Sequence, residues 1–288
     1  MKKIPHAFLF FGEAQLGKKT LALEFIKLLS CESDDFLKKP CDTCLTCQKI
    51  QKRQHPDLII IEPLKKEIQI LQIRDLIWKL SLKPHSAPIK TAIIDQAHLM
   101  NQEAQSAFLK TLEEPKGKTL LILITEYPEI LLPTILSRVE RLKFYPLNFS
   151  EIENYLKTYG ISENKAKELA SLSLGRPGRA INFLLNPQSL ENQKKKIKEL
   201  IKILNSDLAF RFQYARDLTK EPQKLKEILD IWLSYFRDNL LTNLNSQQRL
   251  STLKKLKNIL RLIQNTNFLI STTNVNPRLA LEILMLEL

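Results

Sequence analysis

No stretch of this chain approaches the roughly 18 consecutive apolar residues that would mark a membrane-spanning helix. No membrane partner is therefore expected. Met1-Lys2-Lys3 has the charge of a secretory signal, but the apolar core behind it stops at Gly12-Glu13 and lacks a small-residue cleavage site. The expected compartment is the cytosol. Cysteine is missing from everything beyond position 47: all four, Cys31, Cys41, Cys44 and Cys47, fall in one short window. A reducing compartment disfavours pairing them as disulfides. Acid is scarce beside base, with 31 Asp and Glu against 44 Lys and Arg, a net charge of +13. That excess favours an acidic partner, nucleic acid first. Runs such as Lys194-Lys195-Lys196 and Lys254-Lys255 lie within helical patterns. They fit the other reading equally well, a lysine-rich composition spread over solvated faces. Internal repeats are also lacking.

What is present is ordinary for a soluble globular protein, 44% hydrophobic and 26% charged, and 288 residues are enough for two or three domains. The chain is organised around Phe8-Leu9-Phe10-Phe11-Gly12-Glu13-Ala14-Gln15-Leu16-Gly17-Lys18-Lys19-Thr20. An apolar strand runs into two glycines that bracket four residues, and Lys18 opens an apolar-periodic helix over Lys19–Leu29. Backbone N–H groups and a helix N-terminus arranged so can cradle a phosphate. The match to G-x-x-x-x-G-K-[ST] fails at its last place. Position 19 is Lys, and the hydroxyl arrives at Thr20. One residue turns a side chain by roughly 100° around a helix, so Thr20 is not expected where a magnesium-holding hydroxyl belongs.

The four cysteines follow. Two overlapping C-x-x-C steps, with Cys31 from the end of the preceding helix, suit a structural zinc ion bound by four thiolates. Four reduced, partly buried thiols are the competing reading, disfavoured because every cysteine of the chain lies in this window. His55-Pro56-Asp57 then precedes the apolar run Leu58–Ile61, and with four sulfurs in hand His55 is read as structural. A helix is expected over Ile70–Leu82, with Arg74 and Lys79 among its apolar positions as candidate DNA contacts. Thr91–Ile94 reads as a third strand ending at Asp95. An acid there can position a metal for nucleotide hydrolysis, but the next residue is Gln96, and an amide cannot serve as the general base. A helix over Asn101–Leu112, a strand over Thr119–Ile124 ending at Thr125, and a last strand over Val139–Tyr145 complete an alternating pattern. It argues for an open, mostly parallel sheet with its crevice at the strands' C-terminal ends.

At Pro146 the strand pattern stops. Ser150-Glu151-Ile152-Glu153 has the spacing of a capping box, Gly160 and Gly175 end helices, and Gly175-Arg176-Pro177-Gly178-Arg179-Ala180 leads into a third. The boundaries expected are 1–146 for the sheet domain with its cysteine insert at 31–47, 147–186 for a small helical domain, and 187–288 for a helical packing or assembly domain. The last carries no phosphate loop, paired acids or metal spacing.

Together these residues resemble a family, the AAA+ subunits of bacterial clamp loaders, and most closely the delta-prime branch belonging to DNA polymerase III. The resemblance spans nearly the whole chain. It rests on His6–Phe10 before the loop, the cysteine insert, His55-Pro56-Asp57, Ala107–Pro115, Leu136-Ser137-Arg138, Gly175–Arg179 and Asn276–Glu282. It implies an α/β RecA-like AAA+ domain with a zinc module, a helical lid and an all-α collar. It also implies a hetero-pentamer with ATPase subunits and delta, which opens a sliding clamp and places it on primer–template DNA. By the same resemblance Arg138 matches the arginine finger lent to a neighbour's nucleotide, and Thr125 and Arg179 fall at sensor positions facing the chain's own.

Lys19 and Gln96 depart from the family where magnesium and the catalytic acid are served. The chain also begins only about a dozen residues before the loop, where the family generally has a longer adenine-binding segment, and Val139 replaces a usual cysteine. Turnover of ATP with magnesium is therefore not expected, and holding of nucleotide without hydrolysis stays open, with Gly12, Gly17, Lys18, Thr20, Asp95, Thr125 and Arg179 as a degenerate nucleotide site. The leading expectation is an ATPase-like scaffold that donates Arg138. The competing ones are an active ATPase subunit and a zinc-containing DNA-binding module.

Overall fold

Five short apolar segments pair in parallel register. The protein is described from a computed structural model covering residues 4–64, 66–220, 222–245, 250–273 and 275–288. The strands are β1 (Ala7–Phe11), β2 (Leu58–Ile61), β3 (Lys90–Ile94), β4 (Thr119–Thr125) and β5 (Glu140–Lys143), ordered β2-β3-β4-β1-β5. Every neighbouring pair is parallel, so each connection must cross over, which helices accomplish. These are α1 (Lys18–Ser30) and α2 (Leu45–Gln51), then α3 (Ile70–Ser81), α4 (Gln102–Glu113) and the single turn α5 (Pro133–Leu136).

Every residue of β3 and β4 is buried, which is why both read as unbroken apolar runs rather than alternating ones. Successive side chains still face opposite ways. Leu9, Leu121, Leu123 and Ile94 pack with Ile73 and Leu76 of α3 and Phe108 and Leu112 of α4. Phe8, Phe10, Ile122, Ile124 and Ile93 pack with Ala22 and Ile26 of α1 and Ile50 of α2. The edge strand β5 is exposed along its length and carries Glu140, Arg141 and Lys143, charges that discourage further strand pairing. The expected RecA-like parallel sheet is what the structure contains. From β1 the chain works through β2, β3 and β4 on one side of the sheet, and β5 returns on the other. Strand order therefore reverses at β1, the place where such sheets open a crevice at their C-terminal ends.

His55 is structural, as expected. Its Nδ1 accepts the Asp57 N–H at 3.1 Å, and the Asp57 carboxylate accepts the N–H groups of His85, Ser86 and Ala87 at 2.8, 2.8 and 2.9 Å. Burial alone would raise the Asp57 carboxyl, but those three donors outweigh it and hold it below the ordinary carboxylate value. The triplet pins the loop that leads into β3.

The chain divides into two compact units, Met1–Ile152 with Gly175–Arg179, and Glu153–Leu174 with Ala180–Leu288. Helix α6 (Phe149–Thr158) starts before the expected Ser150, because Asn148 donates its N–H to the Glu151 carboxylate at 2.9 Å. Glu153, the acid expected in the capping box, is instead buried and paired with Lys157 at 2.7 Å. Gly160, with φ +74°, closes this segment, and Ser162 leads into α7 (Glu163–Ser173). Helices α8 (Pro177–Leu185), α9 (Pro187–Leu204), α10 (Leu208–Leu218), α11 (Pro222–Asn245), α12 (Leu250–Thr272) and α13 (Pro277–Glu287) complete the chain. The second unit's main core gathers on fully buried Trp232, which stacks on Tyr214 with ring centroids 6.2 Å apart. Burial beside it pushes the Tyr214 phenol up to about 12.

Candidate functional site

Gly12 and Gly17 shape the loop after β1. Gly12 has φ +142°, and a Cβ there would lie 2.5 Å from the Phe144 carbonyl. Gly17, with φ +83°, holds the left-handed conformation that starts α1. Gly17, Lys18, Thr20, Asp95, Gln96 and Thr125 line one cavity of about 400 Å³ at the C-terminal ends of β1, β3 and β4. Of the nucleotide-site residues expected, Gly12 and Arg179 are not in that lining.

The loop's charges are met from within the chain. Buried Lys18 donates from Nζ to the Gly12 and Glu13 carbonyls at 2.6 and 2.5 Å. Burial pushes its ammonium below the ordinary lysine value, against the opposing pull of Glu126 and Asp95. Lys19 occupies the place of the expected hydroxyl and sends its ammonium across the sheet. Its Nζ pairs with Asp95 Oδ2 at 2.9 Å and also with Glu62, whose carboxyl it holds below the ordinary range. Asp95 is thus already neutralised by a fixed cation. A magnesium ion needs free carboxylate oxygens and would meet the Lys19 charge, so the residues present do not fit that ion. Thr20 is exposed at the cavity's edge. Gln96 is held at φ +53° and donates its N–H to Asp95 Oδ1 at 3.0 Å.

Thr125 is buried, and its hydroxyl is engaged by His98 Nδ1 and the Tyr127 N–H, both at 3.0 Å. The 175–179 turn lies against the loop, but through residues the sequence did not single out. Arg176 pairs with Glu13 at 2.6 Å, and Gly178 donates its N–H to the Gln15 carbonyl at 3.0 Å. A Cβ on Gly178 would come 2.9 Å from that oxygen, a close approach that needs glycine. Arg179 is buried just beyond Gly178.

Arg138 sits elsewhere. It follows α5 and precedes Glu140, which aligns with Phe8. Phe8 is about 13 Å along the strand from Gly12, and Arg138 lies beyond it at the opposite end of the sheet from the loop. Its Nη1 donates to the Thr134 carbonyl at 2.9 Å and Ser137 Oγ at 3.1 Å, and its Nη2 pairs with Glu113 at 2.7 Å. Arg74 and Lys79 are exposed on α3, with Lys79 paired to Asp75 at 2.8 Å, and neither lines the cavity.

The four cysteines converge as expected: their sulfurs all lie within 4.8 Å of one another. The Cys44 N–H points at Cys41 Sγ and the Cys47 N–H at Cys44 Sγ, at 3.3 and 3.4 Å, an arrangement that stabilises thiolate. A hydrogen bond from Thr43 brings Cys41 down to about 6, while burial, followed by the neighbouring sulfur, pushes Cys47 up to about 12. Four sulfurs this close suit a shared cation, and the donor set fits one metal ion. Asp42 anchors this module by pairing at 2.6 Å with buried Lys27 of α1, the helix that the Gly12–Gly17 loop opens. Nothing in the local sequence marks that Lys27–Asp42 link.

The comparisons bear on most of the chain. A family described as "DNA polymerase III, delta subunit" matches residues 1–148. DNA polymerase III subunit delta' of Bacillus subtilis is 32% identical over 255 residues, 86% of this chain and 75% of that one. The chain belongs to the DNA polymerase III delta-subunit family. Its resemblance to the delta-prime branch is borne out by a second relative, the subunit delta' of Pseudomonas aeruginosa. That protein is 34% identical over 69% of this chain and 61% of its own length, so the match leaves more than a third of it unspanned. DNA polymerase III subunit tau of Bacillus subtilis is 26% identical over 83% of this chain and 46% of its own length.

Proposed function

We propose that this chain is a delta-prime-type clamp-loader subunit that does not hydrolyse ATP itself and lends Arg138 to a nucleotide held by a neighbouring ATPase subunit. The observation that carries the reading is the Lys19 ammonium on Asp95 at 2.9 Å. It puts a fixed organic cation where a hydrolytic site needs a metal, beside a Gln96 that cannot take a proton from water. Arg138 supports the second half. It lies at the far end of the sheet from its own loop, so its charge is available to another subunit and not to its own cavity. A planar, permanently charged guanidinium suits the negative charge that builds on a transferring phosphoryl group.

The rest of the molecule follows that reading. Residues 1–146 form the RecA-like domain, 147–186 the lid and 187–288 the collar that joins the ring. Cys31, Cys41, Cys44 and Cys47 hold a zinc ion that supplies a structural cross-link and no open coordination position. The sliding clamp and primer–template DNA are the assembly's partners, with Arg74 and Lys79 as phosphate contacts. The test is Arg138→Ala in a reconstituted loader. DNA-dependent ATP hydrolysis should fall by up to about 10³-fold at the neighbouring site, and a rate equal to wild type overturns the proposal. The intact Gly12–Lys18 loop favours a second reading, an active ATPase subunit. Turnover by the isolated chain with ATP and magnesium, abolished by Lys18→Ala, would establish that reading instead.

A further inference from the structure

Arg138 is not idle while it waits. Two elements converge on its guanidinium: the last residue of α4 brings Glu113 to Nη2 at 2.7 Å, and α5 with the residue after it brings the Thr134 carbonyl and Ser137 Oγ to Nη1. Nη1 and Nη2 are the two ends of the fork that a phosphate would engage in a bidentate contact. A carboxylate that merely steadied the side chain could do so through Nε and leave that fork clear. Glu113 instead occupies one of its two ends, Nη2, while the Thr134 carbonyl and Ser137 Oγ take the other.

We propose that Glu113 is a latch on Arg138: its carboxylate holds the guanidinium on its own chain, and the arginine reaches a neighbour's phosphates only by exchanging that partner. The inference rests on the trans-arginine reading above and names how that same residue is regulated. The exchange is a swap of one anion for another, with no bond made or broken in this chain. Both partners are partly exposed, with side-chain accessibilities of 35% for Arg138 and 49% for Glu113. Water and salt therefore weaken the pair. A polyphosphate carries several negative charges and can displace the single carboxylate once a neighbour brings it within reach. The latch is thus strong enough to bias the resting subunit and weak enough to open once clamp and primed DNA bring a neighbour's loaded nucleotide within reach.

The test uses the assembled loader, with ATP turnover measured without and with clamp and primed DNA. Glu113→Gln keeps the side chain's size and removes its charge. It should raise resting turnover by about two- to five-fold, the bias that an exposed pair of this kind supplies. The fully stimulated rate should stay unchanged, because there the latch is already open. A merely structural role for Glu113 would not separate the two rates in this way. Glu113→Asp, too short to span to Nη2, should raise the resting rate likewise and serves if the Gln variant fails to assemble. The double variant Glu113→Gln with Arg138→Ala should turn over at the rate of Arg138→Ala alone. An unchanged or lowered resting rate in Glu113→Gln, in a loader whose stimulated rate collapses with Arg138→Ala, overturns the latch and leaves the finger standing. Arg138→Ala without effect overturns the finger reading, and the latch with it.

Discussion

The two ends of one sheet treat their cations in opposite ways. At the C-terminal end, Lys18 is buried against the loop's own carbonyls and Lys19 is shared between Asp95 and Glu62. At the N-terminal end, Arg138 sits on the surface with a single half-exposed carboxylate across from it. Buried Lys18 is costly to leave without partners and is committed to the fold, while Lys19 is held by two carboxylates at once from a partly solvated position. A solvated group with one partner exchanges it easily, so Arg138 is available to another molecule.

Breaking Arg138 is the sharpest probe of this contrast. Arg138→Ala should leave the thermal unfolding of the isolated chain nearly unchanged while it lowers the assembled loader's ATP turnover by up to about 10³-fold at one site. A large loss of stability instead would mean that both ends are structural.

Metal removal comes next. Protein purified under reducing conditions should carry about one equivalent of zinc, and chelation should lower the unfolding midpoint by several degrees. Cys47→Ser should reproduce that loss. Because Lys27 ties the cysteine module to α1, hydrogen exchange should quicken at the loop end and stay unchanged around Arg138. Metal analysis finding no zinc would leave four plain thiols.

A smaller effect is expected from Lys18→Met, which deprives the Gly12 and Glu13 carbonyls of their donor and should cost about 1–3 kcal/mol in denaturant unfolding. A neutral or stabilising outcome would mean that Lys18 is held ready for a ligand and is not part of the fold. Least costly is Lys19→Thr, a loss of no more than about 1 kcal/mol from a partly solvated pair. With the competing ammonium gone, Asp95 can accept magnesium. Calorimetry should then find ATP binding that depends on the metal, still without turnover, since Gln96 remains.

Particular residues mark how far reading the chain could reach. The runs Phe8–Phe11, Leu58–Ile61, Thr91–Ile94 and Thr119–Ile124 were legible as strands because buried parallel strands must be apolar on both faces. The loop was legible because a close backbone approach demands glycine at position 12 and a left-handed turn favours it at position 17. The helix after Pro146 was misplaced because two acids stand at capping distance, and only packing decided that Glu151 caps while Glu153 is buried with Lys157. Arg179 was singled out in the 175–179 turn, and Arg176 of the same turn, which was not, pairs with Glu13 of the loop. Both arginines have the right chemistry, and a pairing such as that of Arg176 with Glu13 depends on how the turn is laid down.

By itself the sequence determined which chemistries were open. A lysine at 19 and an amide at 96 rule a hydroxyl and a general base out of those positions whatever the fold, because side-chain chemistry is local. It also placed four thiols at metal-binding spacing within one short window. The partners came only with tertiary structure: Lys19 with Glu62 and Asp95, Lys27 with Asp42, Asp57 with the 85–87 backbone, and Glu113 with Arg138. Those pairs join residues that lie far apart along the chain, and nothing in either segment names the other. Most of them meet because the parallel sheet's crossovers bring strand ends and helix ends together, and Lys27 meets Asp42 because the cysteine module folds back on α1.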